Sequence, residues 1–201
     1  MSVEARREQF VKAAIEVMSR EGLDRATTRR IAEYAGAPQG AVHYAFRDKN
    51  ELLTAVVGEI TNQIEQVLRD AVDPAKGLDA AIHDGLHAFW AYAVGDDGLQ
   101  LMQYELTIYC RRTPGLERLA EWQYTRYSRT AQEAFQSALD QEPKRRPLGI
   151  DLTELARLTV AMLDGLVIQY EVHHDRERSR IDLGHAIRAA VTLAKAPAGD
   201  D

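Results

Sequence analysis

Cysteine occurs once in the 201 residues, at Cys110. That excludes an intrachain disulfide framework and fits a reducing compartment. No run approaches the ~18 to 20 consecutive apolar residues that a membrane-spanning helix needs, and the amino terminus SVEARREQF is charged from its start. The expectation is no signal peptide, no anchor and a cytoplasmic location. Alternating apolar and polar residues, the mark of strands, are nearly absent. A Gly-rich phosphate loop, G-x-S-x-G and H-E-x-x-H are missing as well, so no familiar catalytic signature is present. The reading expects a non-enzyme with no catalytic residue, no cofactor and no metal.

Three smaller signals are weighed and set aside. His83 and His87 stand four apart, but a zinc site wants more ligands nearby, and Asp84 belongs to another face of the helix. His173-His174-Asp175 closes a helix, where histidine suits the negative end. Arg111 and Arg112 follow Cys110, a pairing that would lower its pKa and make it a redox sensor; a lone cysteine near the end of an apolar helix is more often inert.

What is present is a soluble composition, 45% hydrophobic and 28% charged, long enough for one large domain or two small ones. The net charge of −6 is unevenly placed. Residues 1–50 hold nine Lys/Arg against seven Asp/Glu, whereas the remainder holds 16 against 24. Within 25–49 the balance is five basic to two acidic, an electrostatic footprint confined to one end.

Helical periodicity runs throughout, and the fold class expected is all-α with about nine helices. They are placed near 3–21, 28–35, 38–45, 49–72, 76–94, 98–111, 114–140, 151–174 and 182–195. Gly22 closes the first, Thr27 or Thr28 caps the second, and Pro38 suits the first turn of the third. The domains expected are an amino-terminal three-helix unit over 1–50, joined by a connecting helix at 49–72, and a larger bundle over 51–195. The tail 196–201, APAGDD, is expected to be disordered.

The stretch TTRRIAEYAGAPQGAVHYAF at 27–46 has two short helices broken by glycine and proline. Ala32, Gly36 and Val42 have the spacing of a helix-turn-helix, a small residue at the helix contact, glycine at the turn and an apolar anchor. The exposed positions have suitable chemistry for DNA. Thr27, Thr28 and Arg29 suit phosphate, Gln39 and His43 can each donate and accept at base edges, and Tyr44 and Lys49 suit flanking phosphates. Gly40 lets backbone approach closely.

From Arg7 to Val57 the chain resembles the DNA-binding domain of the tetracycline-repressor (TetR) family of bacterial regulators. The elements that carry it are REQFVKAA at 7–14, TTRRIAEYAG at 27–36, GAVHYAF at 40–46 and RDKNELL at 47–53. The resemblance implies a homodimer reading an inverted repeat in double-stranded DNA, with a helical carboxy-terminal domain that binds a small-molecule effector. By position, Thr28, Gln39, Gly40, His43, Tyr44 and Lys49 match residues that commonly touch DNA in the family. His43 stands where tyrosine is common, and Ala45 where histidine or another aromatic is common.

In the second block, Leu155, Met162 and Leu166 on one helix and Leu183, Ile187, Ala190 and Val191 on another form apolar stripes. The resemblance implies that these helices pair with their copies in a four-helix dimer interface; an intramolecular core explains the same stripes. Aromatic residues crowd the middle helices. The candidates for a ligand site are Phe89, Trp90, Met102, Tyr104, Glu105, Trp122, Tyr127, Met162 and Tyr170, an apolar set with few polar groups, where rings plus a carboxylate can also hold a cation. The function expected is a ligand-responsive repressor released from its operator by its effector. The alternatives are an activator, a regulator answering to a partner protein, and a helical carrier or enzyme with a vestigial helix-turn-helix.

Overall fold

Ser2 accepts the Ala5 backbone N–H and starts α1 (Val3–Glu21). Gly22, at φ +91°, ends it by donating its N–H to the Met18 carbonyl. The computed structural model describes residues 2–96, 98–143 and 147–195. Among these, α2 is Thr28–Tyr34, α3 Gly40–Ala45, α4 Lys49–Ala71, α5 Leu78–Ala93, α6 Leu99–Arg112, α7 Glu117–Asp140, α8 Leu152–His173 and α9 Arg176–Lys195, with no strand. The architecture is all-α, as periodicity predicts. The tail expected to be disordered lies outside the described residues.

The differences from expectation have local causes. Helix α3 starts at Gly40 because Ala41 N–H bonds the Pro38 carbonyl three residues back, a tight turn rather than a helical one. Helix α7 begins at Glu117 because Gly115, at φ +87°, breaks the chain first. Helix α9 begins at Arg176, six residues before the expected 182: Asp175 Oδ1 accepts the Arg178 N–H and its carbonyl accepts from Ser179, so a cap starts a charged first turn that periodicity could not reveal.

The chain divides into two compact units, Met1–Asn62 with Asp96–Gln123, and Gln63–Gly95 with Tyr124–Asp201. Helices α4 and α7 contribute to both. In the first unit α1 packs on α2, α3 and α6, burying Phe10, Ala14, Val17 and Met18 with Ile31, Ala32, Val42, Leu53 and Val56. Each large side chain of this kind contributes roughly 1.5–3 kcal/mol by burial. Gly98 meets the same core closely: at φ +93°, a Cβ there would lie 2.5 Å from the Ser19 carbonyl oxygen, so the start of α6 abuts the end of α1 through bare backbone. On α6, the Gln100 amide is fully buried and neither of its polar atoms has a protein partner.

In the second unit α5, α8 and α9 pack on one another. Its core includes Leu78, Ile82, Phe135, Leu155, Ala156, Val167, Leu183 and Ala190. Asp151 caps α8 through the Thr153 N–H at 2.7 Å. His174 closes the same helix in the left-handed region at φ +51°.

Candidate functional site

The helix-turn-helix is held from behind by α1. Gln9 donates to the Ala35 carbonyl at the end of α2, 2.6 Å away. Arg7 donates to the Ala45 carbonyl at the end of α3, pairs with Glu51 at 3.0 Å and lies 4.3 Å from the Phe46 ring centre. Two short helices, each leaving carbonyls unpaired at its end, are thus tied to one longer helix. Gly36, at φ +61°, makes the turn between them. The Arg47 backbone N–H and guanidinium, and then Arg7, hold the Glu51 carboxyl down to about 2.

With that back fixed, the front is open. Gln39, Gly40, His43 and Lys49 are exposed, and Tyr44 is 94% exposed. Behind them Val42 and Ala45 are buried, so α3 has one anchored and one free face. Thr27 and Arg29 are exposed and Thr28 half-buried. The Thr27 hydroxyl caps α2 by accepting the Arg30 N–H at 3.2 Å, and Arg29 pairs with Glu33 at 3.0 Å, so both also have structural work. The Lys49 ammonium lies 5.4 Å from the Tyr109 ring centre, a partial balance of its charge.

The second unit contains an apolar cavity. Ile64 and Leu68 of α4, Val72 just past its end, and Ala81, Gly85, Leu86 and Phe89 of α5 form part of its wall. Tyr127, Ala131, Ala134 and Phe135 of α7, with Thr159, Val160, Leu163 and Asp164 of α8, complete it. Its atom-free space, open mouth included, is about 560 Å³. Its lining is the apolar kind that receives an organic molecule. Thr159 turns its hydroxyl onto the Ala156 carbonyl at 2.8 Å. Asp164 accepts from the Tyr124 hydroxyl, whose pKa burial and then the Asp164 charge push far above the usual phenol value.

Of the ligand candidates named from sequence, Phe89 and Tyr127 stand in this wall. Trp90 and Tyr170 pack edge-on against each other, ring centres 5.6 Å apart, outside it. Met102 is buried in the first unit, where Tyr104 is half-buried and Glu105 and Trp122 are exposed; Met162 is half-buried outside the wall. The carboxylate that lines the cavity is Asp164, and its sequence signal was a lone acid within the apolar run VAMLDGLVI.

Leu155, Leu183, Ile187 and Ala190, expected between subunits, are buried inside the chain itself, and Met162, Leu166 and Val191 are half-buried. The intramolecular alternative accounts for the buried four. The outward stripe of α8 is a different one, Leu158, Ala161, Gly165, Ile168 and Val172, all exposed. Their spacing of three and four marks a single helix face. Ile181 and Leu193 of α9 are also exposed.

Cys110 is buried, and burial pushes its thiol up to about 11, the opposite of a reactive thiolate. His83 and His87 lie 4.5 Å apart, and Asp84, contrary to expectation, is bonded to His83 at 3.0 Å. Among the described residues no three His, Cys, Asp or Glu converge as a metal cage would, and no helix is long and apolar enough to cross a membrane.

Residues 10–56 match the model of the bacterial regulatory proteins, tetR family, and residues 77–194 match the tetracyclin repressor-like C-terminal domain. The nicotine-responsive transcriptional repressor HdnoR of Paenarthrobacter nicotinovorans is 32% identical over 165 residues, 82% of this chain and 83% of that protein. The Escherichia coli regulator BetI is 43% identical over 67 residues, about a third of each chain. The fold matches the Bacillus subtilis regulator FadR, solved with stearoyl-CoA, at a TM-score of 0.71 and 16% identity, covering 92% of this chain and 98% of that one. These relatives are transcriptional regulators, and the chain, with its helix-turn-helix and its helical carboxy-terminal block, belongs to the TetR family of bacterial regulatory proteins.

Proposed function

We propose that the protein is a repressor that binds an inverted-repeat operator as a homodimer and leaves it when a small molecule fills the cavity of the second unit. The observation that carries the DNA-binding part is the anchored α3 with Gln39, Gly40, His43 and Tyr44 on its open face. Gln39 and His43 read base edges, Gly40 permits close approach, and Thr28, Tyr44 and Lys49 grip phosphates. The name of the relative HdnoR, a nicotine-responsive repressor, supports both repression and small-molecule response.

Two copies are needed to serve two half-sites one helical turn apart, about 34–36 Å. The exposed stripe at Leu158, Ala161, Gly165, Ile168 and Val172 supports a self-complementary contact between them. Release follows from α4, which carries Lys49 at one end and the cavity residues Ile64 and Leu68 further along, with Val72 just past its end. A ligand wedged against those residues shifts the helix, and the pair of reading helices no longer fits successive grooves. The ligand must bind the released arrangement more tightly, since equal affinity shifts nothing.

The test is a mobility shift on the chain's own upstream DNA. Wild type is expected to bind saturably and with salt sensitivity, and Tyr44→Ala and Gln39→Ala to lose at least tenfold without loss of fold, both side chains being exposed. Mutants that bind as well as wild type overturn the reading surface. Sedimentation of Ile168→Arg, expected to be monomeric beside a dimeric wild type, tests the interface.

A further inference from the structure

The wall of the cavity carries formal charge of one sign. Among its residues there is a single carboxylate, Asp164, and no lysine, arginine or histidine. The rest is aliphatic or aromatic, and the Thr159 hydroxyl already serves the Ala156 carbonyl. Resting on the reading of this cavity as the effector site, we propose that the effector is a small apolar amine, its hydrocarbon body between the rings of Phe89, Tyr127 and Phe135 and its ammonium received by Asp164.

The alternatives fit the wall less well. An anionic ligand would bring a second negative charge to a carboxylate in an apolar setting. A neutral one would fill the cavity without answering the charge of Asp164. A protonated amine restores that loss by a charge-assisted hydrogen bond and gains further from aromatic faces. The Asp164 carboxylate is also pre-oriented. The Tyr124 hydroxyl donates to it, and Tyr124 in turn packs edge-on against Tyr127 with ring centres 5.8 Å apart. The ion pair elsewhere on the same helices does not compete for the role: Glu65 of α4 is engaged by both donating arms of Arg126 at 2.6 Å, and neither residue is part of the wall.

Calorimetric titration with three matched probes tests this: 3-phenylpropylamine, protonated at neutral pH, 3-phenylpropan-1-ol and 3-phenylpropanoate. Wild type is expected to bind the amine about tenfold more tightly than the alcohol, the size of one charged hydrogen bond, and the propanoate most weakly. Asp164→Asn should bring the amine down to the level of the alcohol, whose own retained binding shows that the cavity is intact. Tyr124→Phe, which removes the donor that orients Asp164, should weaken the amine a few-fold and leave the alcohol unchanged; it carries the test alone if Asp164→Asn does not fold. Equal binding of amine and alcohol to wild type, a preference that survives Asp164→Asn, or no binding of any probe overturns the proposal. The upstream-DNA mobility shift is run on the same preparation. Protein that shifts DNA but shows no amine preference sinks the amine class alone, whereas protein that does not shift DNA sinks the regulatory reading whatever the probes do.

Discussion

The face proposed to meet DNA and the cavity proposed to admit a ligand are built on opposite plans. The first is an exposed polar row fixed by backbone hydrogen bonds and ion pairs behind it, with Arg7 and Gln9 each holding the last carbonyl of a short helix. The second is a hole among apolar side chains from four helices, with one carboxylate in its wall. The contrast teaches where each tolerates change. A site that presents a fixed pattern suffers when backbone geometry shifts, whereas a loosely filled apolar wall has spare room.

Adding carbon atoms to each plan is the most direct way to break this comparison. Gly98→Ala in the first unit is expected to cost about 2–4 kcal/mol, since its Cβ would enter the Ser19 carbonyl at a positive φ; denaturant unfolding measures it, and a neutral result would mean the backbones do not meet there. Arg7→Met comes next, at about 2 kcal/mol, with three partners lost and the Ala45 carbonyl left bare. DNA affinity should fall with it while probe binding in the cavity persists. Gln100→Met works the other way: replacing a buried amide that has no protein partner by an apolar chain of similar length should stabilise by about 1–2 kcal/mol.

Ala131→Leu, by contrast with Gly98→Ala, fills existing space at the half-buried cavity wall. It should raise stability by about 0.5–1 kcal/mol while abolishing probe binding. The smallest effect is electrostatic. Glu51 titrates near 2 when folded, below the ordinary 4.5, so its stabilisation is complete above about pH 4.5 and is lost as pH falls through 2. Thermal unfolding of Glu51→Gln against wild type should converge across that window.

The same contrast explains what could be read in the chain. The DNA-facing unit is set by neighbours in sequence: Ala32, Gly36 and Val42 fix the turn, so the exposure of Gln39, His43 and Tyr44 follows from spacing alone. The cavity is set by which helices meet. Phe89 and Tyr127 were identifiable as aromatic, but nothing local distinguishes them from Trp90 and Tyr170, which pack on each other. The small residues Ala131 and Ala134 make room by what they lack, and a list of large side chains passes over them. The stripe facing outward on α8 lies beside the one periodicity selects, because a helix apolar on both faces has two stripes, and sequence does not say which is claimed by α9.

One guanidinium joins the end of α3 to the first turn of α4, since Arg7 holds both the Ala45 carbonyl and Glu51. The end of α3 is therefore braced at that junction by a side chain of α1. Under the proposed switch, a rotation imposed on the amino-terminal turns of α4 would carry α3 with it, as a crank follows its shaft, and sweep Tyr44 sideways.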